Sequence, residues 1–192
     1  MNFIKDNFIK VSSLIDSFLN DKSNIQKIET IIQLVVKAHQ NGKKGLTCGN
    51  GGSACDAMHY AEELTGRFRK NRKALAAISL TDVSHITCVA NDFGFDYIFS
   101  RGVEALGQDG DYLIAISTSG NSQNVLNAVI KAKEMNIFVI ALLGKDGGKI
   151  KDLADISLII QGNTSDRIQE LHIILIHTII EGLERQLFPE NY

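Results

Sequence analysis

The segment YLIAISTSGNSQNVLNAVIKAKEMNIFVIALLG, residues 112–144, decides the fold class of this chain. Two apolar runs, at 112–117 and 138–144, have the length and composition of strands that are buried on both faces. The helical pattern QNVLNAVIKAKE stands between them. A strand, a helix and a second strand in this order predict two parallel strands that are joined by a crossover helix.

The same alternation continues on both sides of this unit. Three further apolar runs are expected to form strands: GLTC at 45–48, ALAAISL at 74–80 and ISLII at 156–160. Helical stretches separate the runs, and the last helix is expected to extend from about Asp166 to Leu187. The prediction is an α/β domain in which helices cover both faces of a parallel sheet.

The first 42 residues contain two amphipathic helical patterns and no strand pattern. The first helix carries an apolar stripe, formed by Ile4, Phe8, Val11, Ile15, Phe18 and Leu19. Ser23 and Gln26 resemble a capping box that opens the second helix, which is expected to end near Asn41 and Gly42. We therefore interpret residues 1–192 as one domain, with helices in 1–42 and an α/β core in 43–192.

Composition and charge argue against several functional classes. The chain has 192 residues, 44% hydrophobic and 22% charged, with a formal net charge of −2, which is ordinary for a soluble globular protein. It has no block of Lys and Arg, so nucleic acid is not expected as a partner. No targeting or membrane-spanning segment is apparent. The cysteines Cys48, Cys55 and Cys88 form no CxxC pair and are expected to be buried thiols, as in a cytoplasmic protein.

Two loops have a composition that suits an anion. Ligands of such sheets bind where the strands end and loops lead into helix N-termini. GNGGS, residues 49–53, permits close backbone approach, although a tight structural turn is the alternative interpretation. STSGNS, residues 117–122, places hydroxyls before a helix, and this arrangement predicts binding of a phosphate monoester. Helix capping by one of Ser119, Asn121 and Ser122 is the alternative for this loop.

Imidazole and carboxylate groups follow the first of these loops. His59 and Glu63 are four residues apart on the expected helix and share a face. This spacing suits two ligands of one divalent metal, and it equally suits a surface His–Glu hydrogen bond. His177 lies in the apolar run IILIHTII, where a buried core histidine is the commoner role. Together with Gln169 and the phosphate loop, these residues indicate a polar pocket.

Longer motifs resemble one protein family, the bacterial phosphoheptose isomerases of the sugar isomerase (SIS) family. The resemblance extends from about Ser23 onward and is carried by CGNGGSACDAMHYAEELTGRFR (48–69), TDVSHITCVANDFGFDYIFSR (81–101), ISTSGNS (116–122), GKDGGK (144–149) and SDRIQELHI (165–173). It implies a three-layer, flavodoxin-like fold with a five-stranded parallel sheet. It also implies a homotetramer with active sites between subunits.

The resemblance further implies the residues of the site. Zinc, one ion per subunit, would be held by His59, Glu63, Gln169 and His177. Sugar-phosphate contacts would come from Asn50, Gly51, Gly52, Ser117, Thr118, Ser119 and Ser122, with Glu63 and Gln169 also near the substrate. The sugar-binding part would be lined by Asn91, Asp92 and Asp166.

The implied activity is aldose–ketose isomerisation of sedoheptulose 7-phosphate to D-glycero-D-manno-heptose 7-phosphate through an enediol(ate). This reaction would serve ADP-heptose synthesis and the inner core of lipopolysaccharide. Glu63 is expected to move the proton between carbons, and His177 to act as acid and base at the oxygens. The alternative is a non-catalytic SIS protein that binds a phosphosugar or associates with a replication initiator. Such a protein has no use for a joint His–Glu–His cluster.

The expected ligand set contains one geometric conflict. Gln169 and His177 are eight residues apart, which on a straight helix means ~12 Å of rise and ~80° of rotation. Spacing alone would instead pair Glu170 with His177. Either Gln169 and His177 lean towards each other, or they reach the site from different subunits.

Overall fold

The computed structural model describes residues 2–192, which form seven α-helices and five strands. The helices are α1 (Asn2–Asn20), α2 (Lys22–Gln40), α3 (Gly52–Thr65), α4 (Val83–Asp92), α5 (Ile98–Leu106), α6 (Gln123–Glu134) and α7 (Ser165–Leu187). The strands are β1 (Gly45–Gly49), β2 (Ala77–Ser79), β3 (Tyr112–Ser117), β4 (Phe138–Gly144) and β5 (Ile156–Ile160). Within the described residues, none of the helices combines the length and apolar composition that a membrane crossing requires.

All five strands are parallel, in the order β2-β1-β3-β4-β5. The strand order reverses between β1 and β3, which pair from Gly45 with Tyr112 to Gly49 with Ile116. This is the flavodoxin-like order, so the expected five-stranded parallel sheet is confirmed. In such sheets, the crevice for a ligand opens where neighbouring strands send their connections in opposite directions.

The sheet lies between two helical layers because its strands are apolar on both faces. Along β3, Ile114 and Ile116 contact the core beneath α2, α3 and α7, whereas Leu113 and Ala115 contact the core beneath α5 and α6. All four side chains are fully buried. Burying an aliphatic side chain of this size contributes about 1.5–3 kcal/mol, so both layers are needed for stability.

The expected strand at 74–80 is longer than the observed one, since only Ala77–Ser79 forms β2. The preceding segment is tied to α7 by Arg72 and meets β1 at Ala76, whose carbonyl accepts the Gly45 N–H. The Arg72 guanidinium is buried and contacts the carboxylate of Glu184 on α7 at 2.6 Å. The segment is also tied to α3, because the Leu75 N–H donates to the Leu64 carbonyl.

The expected capping box at Ser23 and Gln26 is wrong. Asp21 is the N-cap of α2, and its carboxylate accepts a hydrogen bond from the Ser23 N–H at 3.0 Å. A carboxylate at this position also interacts favourably with the helix dipole, so it replaces the expected hydroxyl.

The apolar stripe of α1 is only partly used within the chain. Val11, Ile15 and Phe18 pack against the core, but the remaining three members of the stripe are exposed: Ile4, Phe8 and Leu19. The helix therefore contacts the domain along its second half and leaves an apolar surface along its first half.

The expectation of three buried thiols is confirmed for one cysteine and wrong for two. Cys48 lies on β1 and is fully buried, and burial raises the pKa of its thiol to about 12. Cys55 and Cys88 are exposed on α3 and α4. Helical positions can face solvent, whereas a residue of a central parallel strand has a helical layer on either side.

The pH dependence of stability should contain a contribution from His172. Its Nε2 donates to the Leu143 carbonyl at 3.1 Å, and burial lowers the pKa of the imidazole to about 4. An unfolded histidine titrates near pH 6.5, so this contribution is complete above pH 6.5 and is lost as the pH falls from 6.5 to 4.

Replacing His172 by glutamine keeps a donor for Leu143 and removes the titration. We expect the free energy of unfolding to fall by roughly 3 kcal/mol more in the wild type than in His172→Gln between pH 6.5 and 4. Denaturant titrations at several pH values measure this difference. Parallel pH profiles for the two proteins would contradict the assignment.

Candidate active site

Three helices begin at the carboxyl edge of the sheet without a side-chain cap. The N-cap residues of α3, α6 and α7 are Gly51, Ser122 and Thr164, and none of them makes a side-chain capping bond. By contrast, α2 and α4 are capped by the carboxylates of Asp21 and Asp82. The uncapped first turns keep partly positive N–H groups that an anion can bind.

The hydroxyl loop, residues 117–122, brings its side chains together instead of capping the next helix. Ser117 Oγ lies 3.1 Å from Ser122 Oγ, at the end of β3. Thr118 Oγ1 lies 3.0 Å from the hydroxyl of Ser165, the first residue of α7. Ser119 Oγ accepts the Asn121 N–H within the loop. The alternative role of this loop, side-chain capping of α6, is therefore not observed.

The GKDGGK motif supports the hydroxyl loop from behind. Gly120 has φ +64°, and a Cβ at this position would overlap the carbonyl oxygen of Gly147. Asn121 Oδ1 accepts the Lys149 N–H at 3.2 Å, and the Ile150 N–H donates to the Gly120 carbonyl at 3.1 Å. The hydroxyl loop and residues 144–150 therefore form one interlocked unit.

The glycine loop, residues 49–53, lies beside the start of α7. Gln169 Nε2 is 3.4 Å from Ser53 Oγ, and a Cβ on Gly52 would meet the Gln169 carboxamide. Gly51 has φ +56°, a conformation that glycine adopts readily. Gln169 thus lies at the glycine loop, where the resemblance predicted a substrate contact.

A His–Glu–His cluster lies further along the same two helices. His59 Nε2 is 3.3 Å from Glu63 Oε1 and 3.2 Å from His177 Nε2. One ligand atom from each of the three residues lies within 4.8 Å of the others. The structure therefore brings together, within one chain, the His59–Glu63 pair expected from helical spacing and His177, which only the resemblance implied as a ligand.

The donor set of this cluster fits a divalent metal. Two imidazole nitrogens and one carboxylate are the protein ligands of many catalytic zinc sites. The two Nε2 atoms lie 3.2 Å apart, so both can reach one ion when each imidazole carries its proton on Nδ1. Glu63 is 15% exposed and His59 39%, so the cluster is reached from solvent. Glu62, 3.8 Å from His59, is 66% exposed and therefore solvated.

The surroundings of His177 favour its neutral form. Burial lowers the pKa of His177, and the neighbouring His59 lowers it further. The ring of Phe68 lies 5.5 Å from the His177 ring and covers one side of it. Burial also raises the pKa of Asp56, one turn before His59, to about 6. A neutral histidine is the form that binds a metal or accepts a proton.

Arg72 fixes the backbone at Glu63 and Leu64, a role that could not be expected from the sequence. Its Nη2 donates to the Glu63 carbonyl at 2.7 Å, and Nη1 donates to the Leu64 carbonyl at 2.8 Å. Glu184 balances the buried charge. An arginine in a loop between a helix and a strand is usually solvated, so its sequence context carried no signal.

The remaining expected residues lie outside this cluster. Asn91 donates to Asp92 at the end of α4, and within residues 2–192 neither side chain hydrogen-bonds to the glycine loop or the hydroxyl loop. Asp166 is exposed in the first turn of α7, where a hydrogen bond with Thr164 lowers its pKa. Gln169 contacts Ser53, so its role as a metal ligand stays a prediction, as do the substrate contacts of the other three.

A family model matches most of this chain and identifies its family. The model of the family described as "SIS domain" matches residues 8–144. This chain belongs to the SIS domain family. It is 58% identical to the phosphoheptose isomerase of Fusobacterium nucleatum, over 93% of this chain and 92% of that protein. It is 50% identical to the phosphoheptose isomerase of Salmonella paratyphi B, over 97% of each.

Solved structures of the family give the same result. The phosphoheptose isomerase of Neisseria gonorrhoeae superposes with a TM-score of 0.89 at 40% identity, covering 95% of this chain and 97% of that one. The phosphoheptose isomerase of Francisella tularensis superposes with a TM-score of 0.91 at 34% identity, covering 96% and 97%. The expected three-layer SIS fold and the family resemblance are therefore confirmed.

The contact between Gly120 and Gly147 should be essential for the hydroxyl loop. We expect Gly120→Ala to push the loop away from residues 144–150 and to weaken binding of inorganic phosphate by about tenfold or more. Isothermal titration calorimetry measures this affinity.

Gly110→Ala is the matched control. Gly110 also has a positive φ of +83°, but its added Cβ would meet only the flexible side chain of Lys43. Both variants carry the backbone cost of a left-handed alanine, about 1–2 kcal/mol. Equal phosphate affinities in the two variants would contradict the bracing role of the GKDGGK motif.

Proposed function

We propose that this chain converts sedoheptulose 7-phosphate into D-glycero-D-manno-heptose 7-phosphate. The observation that carries the proposal is the contact of His59 with both Glu63 and His177 at 3.2–3.3 Å. A protein that only binds a phosphosugar needs the two loops but not this cluster. High identity to proteins named phosphoheptose isomerase supports the same conclusion.

The substrate phosphate would be held at the hydroxyl loop. The side chains of Ser117, Thr118, Ser119 and Ser122 provide donors there, and the uncapped N-terminus of α6 provides partly positive N–H groups. These groups bind a dianion without a lysine or arginine. Binding energy from the phosphate, remote from the reacting carbons, then holds the sugar chain in position for the reaction.

Glu63 is the proposed base for transfer between carbons. Its carboxylate would take a proton from C1 of the ketose, which leaves a cis-enediol(ate), and would return a proton to C2 to give the aldose. His177, whose pKa is lowered by burial, would move the accompanying proton between O1 and O2. The carboxylate and the imidazole would thus serve different atoms of the same intermediate.

In the protein without substrate, His59, Glu63 and His177 are the residues that would hold a zinc ion, with Gln169 as the fourth ligand implied by the resemblance. Glu63 and His177 would not bind the ion through the same atoms while they transfer protons. When bound, a divalent metal supplies Lewis-acid polarisation of the substrate carbonyl. The backbone bond from Arg72 to Glu63 would keep the carboxylate directed at this position.

We also propose a cytoplasmic homotetramer with active sites between subunits, which serves lipopolysaccharide synthesis. The exposed apolar side chains of α1 support association, since Phe3 is 62% exposed and Phe8 75%. A partner chain would also bring further groups to the cluster, where His59 is 39% exposed.

Glu63→Gln should abolish turnover. The amide cannot accept the carbon-bound proton, so we expect kcat to fall at least about a thousandfold while inorganic phosphate still binds. The assay is NMR of sedoheptulose 7-phosphate in deuterated water, which follows both product formation and deuterium uptake at the reacting carbons.

Glu62→Gln is the control, because Glu62 is the next residue and also lies near His59 but is largely exposed. It should retain turnover within about threefold. Activity in Glu63→Gln would contradict the role of Glu63 as base. Phosphosugar binding by the wild type, without turnover or deuterium uptake, would favour the non-catalytic alternative.

Metal removal should inactivate the wild type reversibly. We expect chelator treatment to lower turnover at least about a hundredfold, and added Zn²⁺ to restore it. His177→Ala should retain less than about a tenth of the bound metal in elemental analysis of the dialysed protein. Full activity of the metal-free wild type would contradict the proposed metal site.

A further inference from the structure

A reciprocal pair of carboxamides connects the two loops of the site. Asn50 Nδ2 donates to Asn124 Oδ1 at 2.8 Å, and Asn124 Nδ2 donates to Asn50 Oδ1 at 2.8 Å. Asn50 belongs to the glycine loop, after β1. Asn124 is the second residue of α6, after the hydroxyl loop and β3. The pair therefore bridges the point where the strand order reverses.

The orientation of this pair is fixed from one side. The Val125 N–H donates to Asn124 Oδ1 at 2.9 Å, so the carboxamide of Asn124 cannot flip without losing that bond. Asn124 is 2% exposed, which makes an unpaired amide there costly. Only a carboxamide on each side supplies one donor and one acceptor in this geometry.

We propose that the Asn50–Asn124 pair sets the separation between the glycine loop and the hydroxyl loop, with Asn124 as a positioning residue for the substrate phosphate. Asn50 directly precedes Gly51, and Asn124 is two residues after Ser122. Movement of either asparagine therefore moves backbone groups that face the anion. The inference rests on the sugar-phosphate binding proposed above.

The pair also defines how Asn50 serves the substrate. Its carboxamide oxygen and one of its two N–H groups are committed to Asn124. The side chain of Asn50 thus acts mainly on the shape of the glycine loop, and the main chain beside Gly51 is left to face the anion. Asn124, which no motif singled out, shares this role equally.

The test is a double-mutant cycle with Asn50→Ala, Asn124→Ala and the double variant. We expect each single variant to raise both the KM for sedoheptulose 7-phosphate and the dissociation constant for inorganic phosphate about tenfold or more. We expect kcat to stay within about threefold, because the cluster of His59, Glu63 and His177 is untouched. The KM and the phosphate dissociation constant of the double variant should not exceed those of the single variant that binds more weakly. Either change alone already breaks the pair.

Asn127→Ala is the matched control on the same helix. Its carboxamide also makes two side-chain hydrogen bonds, from Gln123 and to the Asp96 carbonyl, but neither joins the two loops. This variant should keep the KM and the phosphate affinity of the wild type, even if its melting temperature falls.

Two results would overturn the inference. One is a KM and a phosphate affinity in Asn124→Ala within twofold of those of Asn127→Ala. The other is an additive effect in the double variant. Asn50 is only half-buried, so Asn50→Ala breaks the same pair with less risk to folding. If Asn124→Ala does not fold, the KM and phosphate affinity of Asn50→Ala are compared with those of Asn127→Ala instead. Phosphate calorimetry decides it independently if the wild type does not isomerise sedoheptulose 7-phosphate.

Discussion

Three side-chain contacts among the loops and helix starts hold the edge of the sheet where the site lies. They join the glycine loop to α6 through Asn50 and Asn124, the hydroxyl loop to α7 through Thr118 and Ser165, and α7 to α3 through Gln169 and Ser53. The helices α3, α6 and α7 begin beside these contacts without side-chain caps, which leaves N–H groups of their first turns available to an anion. The proposed phosphate site, made of backbone N–H groups and hydroxyls, depends on this arrangement.

The cluster of His59, Glu63 and His177 depends on a second constraint, the packing of α3 against α7. Both helices start at the carboxyl edge of the sheet, and their contacts advance along both helices together. The successive contacts are Ser53 with Gln169, His59 with His177, and Arg72, just beyond α3, with Glu184. The proposed phosphate site and the His59–Glu63–His177 cluster therefore lie at successive levels of one helix pair, and the buried Arg72–Glu184 contact lies at its far end.

The fold was largely predictable from the sequence, because β1, β3, β4 and β5 are short apolar runs with clear boundaries. The expected strand at 74–80 was too long because propensity carries no information about the buried pairing of Arg72 with Glu184. His59 and Glu63 were predictable as neighbours from helical spacing. Their contact with His177 was not predictable from spacing, because it depends on how α3 packs against α7. Asn124 and Ser165 gave no signal, since their roles exist only once the three helices converge.

The most direct test of the account is a crystal structure of the zinc-loaded protein with sedoheptulose 7-phosphate, recorded at the zinc absorption edge. The account predicts an anomalous peak between His59 Nε2, Glu63 Oε1 and His177 Nε2, with the phosphate at the hydroxyl loop and C1 and C2 of the sugar beside Glu63. A zinc peak away from these three residues, or a sugar whose reacting carbons lie beyond the reach of Glu63, would contradict it.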